Sequence, residues 1–192
     1  MEIAVADKDP ATRQFLVASL TRLGHRAKAV PDGASLLALC DRRAMDLIIT
    51  EIDASLADGL VAAERLCKQR PTPIIVATTE RTPEALARAR EGYVFGYLIK
   101  PIVEAELAPA VEIAISRFEE FQALRKETED LRRALADRKI IERAKGVLMQ
   151  QSGLPEAAAF QQLQKLARSK SKKLVEIADS ILTANEAMTP GH

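Results

Sequence analysis

Acidic side chains recur immediately after short apolar runs. Asp7 and Asp9 follow IAVA, and Glu51 closes DLIITE, with Asp53 and the pair Asp58-Gly59 close behind. Two further runs lead to Thr78 and to Tyr97-Leu98-Ile99-Lys100-Pro101. Brought to one place, these groups could handle a phosphoryl group: carboxylates bind a divalent metal, while a hydroxyl and an ammonium contact phosphate oxygens. Plainer roles stay open for some of them. Asp9 before Pro10 suits a helix N-cap, Asp58-Gly59 suits a turn, and Lys100 suits a solvated side chain.

The elements that must position these residues can be read from the alternation of patterns. Up to about residue 116, β-rich runs at 3–6, 26–30, 46–50, 73–78 and 96–99 are separated by amphipathic stretches such as TRQFLVASLTRL and ALARAREG. Strands alternating with helices predict βαβ units, hence an α/β doubly wound, five-stranded parallel sheet. Crossovers between parallel strands are right-handed, so all the strand carboxyl ends meet at one edge, where sites form in such sheets. After about Val103 the strand signal ends and one long helical pattern covers 107–151, with Pro109 read as part of its first turn. Phe121, Leu124, Thr128, Leu131 and Leu135 step by three and four, the spacing of a coiled-coil seam. Flanking charges leave so polar a helix little to cover within its own chain, which favours a homodimer through Phe121, Leu124, Leu131 and Leu135. Gly153 ends this helix and Pro155 opens the next, giving two short helices at about 155–168 and 171–184.

The spaced set at the strand ends resembles the receiver domain of two-component response regulators, a flavodoxin-like fold, over residues 1–116. The resemblance implies that Glu51 stands at the position of a phosphoacceptor aspartate, with Asp7, Asp9 and Lys8 around the acidic pocket and Thr78, Tyr97 and Lys100 as the switch residues. Three positions depart from the family pattern: Glu51 for aspartate, Lys8 for the second metal-binding acid, and Ser55 for the usual proline. Glutamate adds a carbon–carbon bond of about 1.5 Å, and a misplacement near 1 Å costs on the order of 100-fold in rate. Lys8 puts an ammonium where magnesium wants an oxygen ligand, so no cofactor is expected. Lys8 is instead expected to pair with Glu51 or Asp7 and neutralise them. The pocket then reads as a degenerate switch and not as an enzyme active site.

Charge divides the chain. Residues 138–173 hold nine basic side chains (Arg138, Lys139, Arg143, Lys145, Lys165, Arg168, Lys170, Lys172, Lys173) against Glu142 and Glu156, a net +7 that leaves −6 on the remainder of a +1 protein. Such a segment suits nucleic acid, through phosphate contacts that are screened by salt and blind to sequence. Phe160 and Met149 fall at apolar helical positions and are assigned to the core, so stacking platforms are not expected. Gly146, which costs about 1 kcal/mol in a helix relative to Ala, is read as permitting a close helix crossing.

Arg143-Ala144-Lys145-Gly146-Val147-Leu148-Met149, followed by Ala159-Phe160, Leu163, Ala167, Leu174 and Ala178, resembles the ANTAR output module over about 124–185. The resemblance implies a regulator that binds RNA hairpins in nascent leader transcripts and prevents transcription termination. It divides the chain into a receiver at 1–116, a dimerising helix at 117–137 and a small three-helix, all-α RNA-binding module at 138–185. Two other readings keep the receiver: a DNA-binding output, disfavoured because SGLPE does not set up a recognition helix, and a protein-interaction adaptor. The controlling partner is either a sensor histidine kinase or a ligand-sensing protein.

Composition is consistent with these readings. At 47% apolar and 29% charged the chain can bury a core. No apolar stretch approaches the roughly 18 residues of a membrane span, and the first residues do not read as an export signal. Cys40 and Cys67 lack metal-ligand spacing and read as reduced residues of a cytoplasmic protein.

Overall fold

The computed structural model describes residues 1–52, 58–79 and 93–188. Asp53, Ser55, the whole ALARAREG stretch and the last four residues lie outside them, as does the side chain of Asp58. The elements are β1 (Glu2–Ala6), α1 (Pro10–Arg22), β2 (Arg26–Val30), α2 (Gly33–Arg42), β3 (Leu47–Glu51), α3 (Asp58–Gln69), β4 (Ile74–Thr78), β5 (Val94–Ile99), α4 (Glu104–Ser152), α5 (Glu156–Ser169) and α6 (Leu174–Met188). Asp58 and Gly59 therefore open a helix, where the sequence suggested a turn.

The five strands form one parallel sheet in the order β2-β1-β3-β4-β5. Period-two alternation sends successive side chains to opposite faces. Ile3, Val5, Leu47, Ile49, Ile75 and Ala77 meet Leu16 and Leu20 of α1 and Leu107, Val111 and Ala114 of α4. Ala4, Ala6, Ile48, Ile74 and Val76 meet Leu36 of α2 and Ala63 and Cys67 of α3. A sheet covered on both faces needs apolar residues at nearly every central position, which is why β3 and β4 read as continuous apolar runs. Cys40 and Cys67 are free thiols, and burial pushes the Cys67 thiol up to about 11.

The chain divides into two compact units, Met1–Ala123 and Leu124–His192. α4 begins at Glu104 rather than near 107, so Pro109 sits inside it and not in its first turn. The early start has a cause: Glu104 and Glu106 suit the positive end of the helix, and Arg22 of α1 donates to Glu104 from Nε at 2.9 Å and from Nη2 at 2.6 Å. Pro109 removes one backbone donor there. In the second unit Ala144, Leu148, Ala159, Leu163, Ala167, Ile177, Ala178 and Leu182 close a three-helix core. Gly153, at φ +63°, ends α4 as expected, and Pro155 caps α5.

The close approach expected at Gly146 is found at another glycine. Among the described residues, a methyl group on Gly146 would meet nothing within 4 Å, so none of their helices crosses closely there. The close approach is at Gly96, where an added Cβ would lie 3.3 Å from Ile75 Cγ1 and 3.7 Å from both the Ala110 carbonyl oxygen and Ala114 Cβ. Gly146→Ala is therefore expected to raise stability by about 0.5–1 kcal/mol, and Gly96→Val to lower it by about 1–3 kcal/mol. Thermal unfolding followed by circular dichroism checks both signs.

Candidate functional site

Register builds the acidic site. Ala6 pairs with Thr50, Glu51 with Ala77 and Thr78 with Ile99, so Asp7, Glu51, Thr78 and Lys100 leave their strands at one level. Asp7 and Thr78 are buried, Glu51 and Tyr97 are half-buried, and Tyr97 packs against the core on the α2–α3 side of the sheet. The backbone N–H of Lys100 donates to the Thr78 carbonyl at 2.9 Å, which fixes where the lysine side chain starts.

Lys100 is the centre of the cluster. Its Nζ lies 2.7 Å from Asp7 Oδ2 and 2.6 Å from Glu51 Oε1. Burial opposes the Lys100 charge, but its hydrogen bonds to Asp7 and Glu51 outweigh that and hold its pKa above that of an ordinary lysine. The other two carboxylate oxygens are also engaged: Asp7 Oδ1 accepts the Asp9 N–H at 2.9 Å and Glu51 Oε2 accepts the Lys8 N–H at 3.1 Å. Neutralisation of the acids, expected of Lys8, falls to the Lys100 ammonium. Lys8 supplies its backbone N–H, and its side chain is exposed.

Asp9 is committed elsewhere. It caps α1, accepting from the N–H groups of Ala11 and Thr12 and, at 2.6 Å, from the Thr12 hydroxyl. The Thr12 hydrogen bonds hold its carboxyl below the usual aspartate range. Magnesium therefore does not fit the described residues. Lys100 Nζ sits against one oxygen each of Asp7 and Glu51, backbone N–H groups of Asp9 and Lys8 hold the other two, and Asp9 is a cap. Sequence reading missed Arg13, whose guanidinium donates to the carbonyls of Asp7 and Lys8 at 2.7 and 3.0 Å and so fixes the loop carrying both. Its position one turn into α1 was the available signal.

The second unit presents the basic residues. Arg138, Lys139, Arg143, Lys165, Arg168, Lys170, Lys172 and Lys173 are exposed, with Arg143 lying 3.5 Å from Glu186. Lys145 departs from the set. It is buried, and its Nζ lies 2.8 Å from Glu142 and 2.7 Å from Glu156, so it pins α4 to the first turn of α5 instead of facing a phosphate. Hydrogen bonds to Glu142 and then Glu156 raise its pKa. The i, i+3 spacing of Glu142 and Lys145 was a readable hint, whereas the Glu156 contact needed the fold. Phe160 and Met149, both expected in the core, stay exposed.

Comparison with known proteins accounts for both units. Residues 3–112 match the family described as "Response regulator receiver domain", and residues 129–182 match "ANTAR domain". The chain is 32% identical over 181 residues to "Transcriptional regulatory protein PdtaR" of Mycobacterium tuberculosis, covering 94% of this chain and 88% of that one. The chain belongs to the response regulators that join a receiver domain to an ANTAR output.

Its receiver is also 36% identical over 115 residues to the "DNA-binding transcriptional regulator NtrC" of Azospirillum brasilense, a match to 59% of this chain and 24% of that protein. Among solved structures, a signal receiver domain from Pseudomonas fluorescens superposes with TM-score 0.56 at 26% identity, over 62% of this chain and 97% of that one. Chemotaxis protein CheY4 of Vibrio cholerae shares the fold, with TM-score 0.55 at 23% identity over 59% of this chain and 97% of that one. The ANTAR unit is an output of the RNA-binding, antitermination type. No helix among the described residues is long and apolar enough to cross a membrane.

Removing the Lys100 ammonium leaves Asp7 and Glu51 facing each other. Lys100→Met is expected to cost about 3 kcal/mol, the lower end for breaking a buried pair, and adding Glu51→Gln should recover part of it. Because the folded-state pKa of Lys100 is raised, its contribution is complete at neutral pH and is lost as pH climbs beyond the ordinary value of 10.5. Urea unfolding of wild type and Lys100→Met should show a gap that closes only in that alkaline range.

Proposed function

We propose that this response regulator acts as an antitermination factor, binding RNA hairpins of nascent leader transcripts through its ANTAR unit. The observation carrying this reading is the disposition of charge in 138–173. Both acids of that stretch, Glu142 and Glu156, are spent on buried Lys145, which leaves eight exposed basic side chains to face a polyanion. Arg138 and Lys139 lie on α4, Lys165 and Arg168 on α5, and Lys170, Lys172 and Lys173 at the α5–α6 joint, so the cations come from separate elements of one small unit.

The protein works as a homodimer. Leu124, Leu131 and Leu135 are each at least 60% exposed along α4, and a second copy of the helix gives this seam the cover it lacks. Phe121, at the head of the seam, packs edge-on against Tyr93 and at a tilt against Phe95. Control does not run through phosphorylation of Glu51, since its longer side chain departs from the family's aspartate and both its oxygens are engaged, by Lys100 and by the Lys8 N–H. A partner protein supplies the signal at the receiver, a sensor kinase acting by contact or a ligand-sensing protein. Thr78 and Tyr97 lie beside the pocket as the residues through which such a signal is passed on.

Filter binding with a hairpin RNA at several salt concentrations tests the reading. Replacing Arg138, Lys139 and Lys165 by alanine should weaken binding and flatten the slope of log affinity against log salt by roughly 0.7–0.9 per lost phosphate contact. Wild-type protein that binds no RNA, or binding indifferent to all three changes, contradicts it.

A further inference from the structure

Helical spacing assigns Phe160 to the core together with Ala159, Leu163 and Ala167, yet the structure separates them. Those three are at most 8% exposed, while Phe160 remains 36% exposed. Phe160 is also the one aromatic residue after Phe121 in the whole chain. Its surroundings are specific. Lys145 Nζ lies 5.9 Å from the ring centroid, and that ammonium is itself held by Glu142 and Glu156. The ring is thus flanked by a fixed cation and not by a mobile one. On α4, Met149 shares the Lys145 side of the helix at i+4 and is 37% exposed. Gly146 leaves the space beside the helix open, with nothing within 4 Å of where a methyl group would be.

We propose that the Phe160 ring is a stacking surface for an unpaired nucleobase, with Lys145 as the positioning residue that sets it at the joint of α4 and α5. The proposal rests on the RNA-binding reading above and divides the labour within it. The exposed cations grip phosphates and cannot tell a loop from a duplex, whereas an aromatic face takes only a base that has left its pair. A ring left open in a small unit that also carries eight exposed cations fits a polyanion with flat apolar groups, which is the chemistry of a single-stranded loop.

The chain contains no tryptophan, so Phe160→Trp introduces a unique fluorophore in place of the ring. The probes are a pool of hairpins with a common stem and a randomised loop, its tightest binder carried forward, and the same stem closed as an uninterrupted duplex. Stacking predicts that the selected hairpin quenches the indole emission of this variant and the duplex does not. Phe160→Leu, which keeps an apolar side chain without a π face, should lose about 5- to 100-fold in affinity for the hairpin and almost none for the duplex. Its circular dichroism should match wild type. Equal loss on both probes, no loss on either, or emission that shifts with protein concentration alone and so marks a self-interface, overturns the proposal. If the alanine changes at Arg138, Lys139 and Lys165 weaken hairpin binding while Phe160→Leu does not, RNA binding stands and the stacking role falls. If wild type binds no hairpin, both fall.

Discussion

One ammonium within hydrogen-bonding distance of two carboxylates governs the receiver edge. Lys100 is the first residue after β5 and Asp7 the first after β1, while Glu51 ends β3, so their meeting requires three strands to stop at the same level. Two like charges in a half-buried site are unfavourable without a cation between them. In a receiver that takes phosphate, metal and phosphoryl chemistry meet at this edge. Here the chain supplies the cation from its own side chain. Each of the four carboxylate oxygens already has a contact, from Lys100 or from the backbone N–H groups of Lys8 and Asp9.

The two units use lysine in a parallel way. Lys100 joins acids from β1 and β3, and Lys145 joins acids from α4 and α5. In each case a basic residue that looks solvated in sequence is nearly buried and acts as a fastener. The consequence differs. At the receiver edge the fastener joins the two acids of the pocket, whereas in the ANTAR unit it consumes Glu142 and Glu156, the two acids among the basic residues of 138–173.

The sheet was readable because its buried strands are short apolar runs bounded by polar residues, and the pocket was readable because acids followed them at the right ends. Less legible was which cation reaches the acids. Lys8 is adjacent to Asp7 in sequence, but Lys100, after the end of a strand three ladders away from β1, reaches both acids. Periodicity also fails at the edges of a helical face. Phe160 and Met149 share the spacing of core residues yet lie just outside the buried arc, and Gly146 was credited with a helix contact that belongs to Gly96. The start of α4 moved because a long-range grip on Glu104, invisible in local sequence, holds its first turn.

Under the proposed function, the pocket in which Lys100 bridges Asp7 and Glu51 takes no phosphoryl group. Intact-mass spectrometry after incubation with Mg²⁺ and acetyl phosphate tests it most directly. The account predicts an unchanged mass for wild type; a gain of one phosphoryl group that disappears in Glu51→Ala would contradict it.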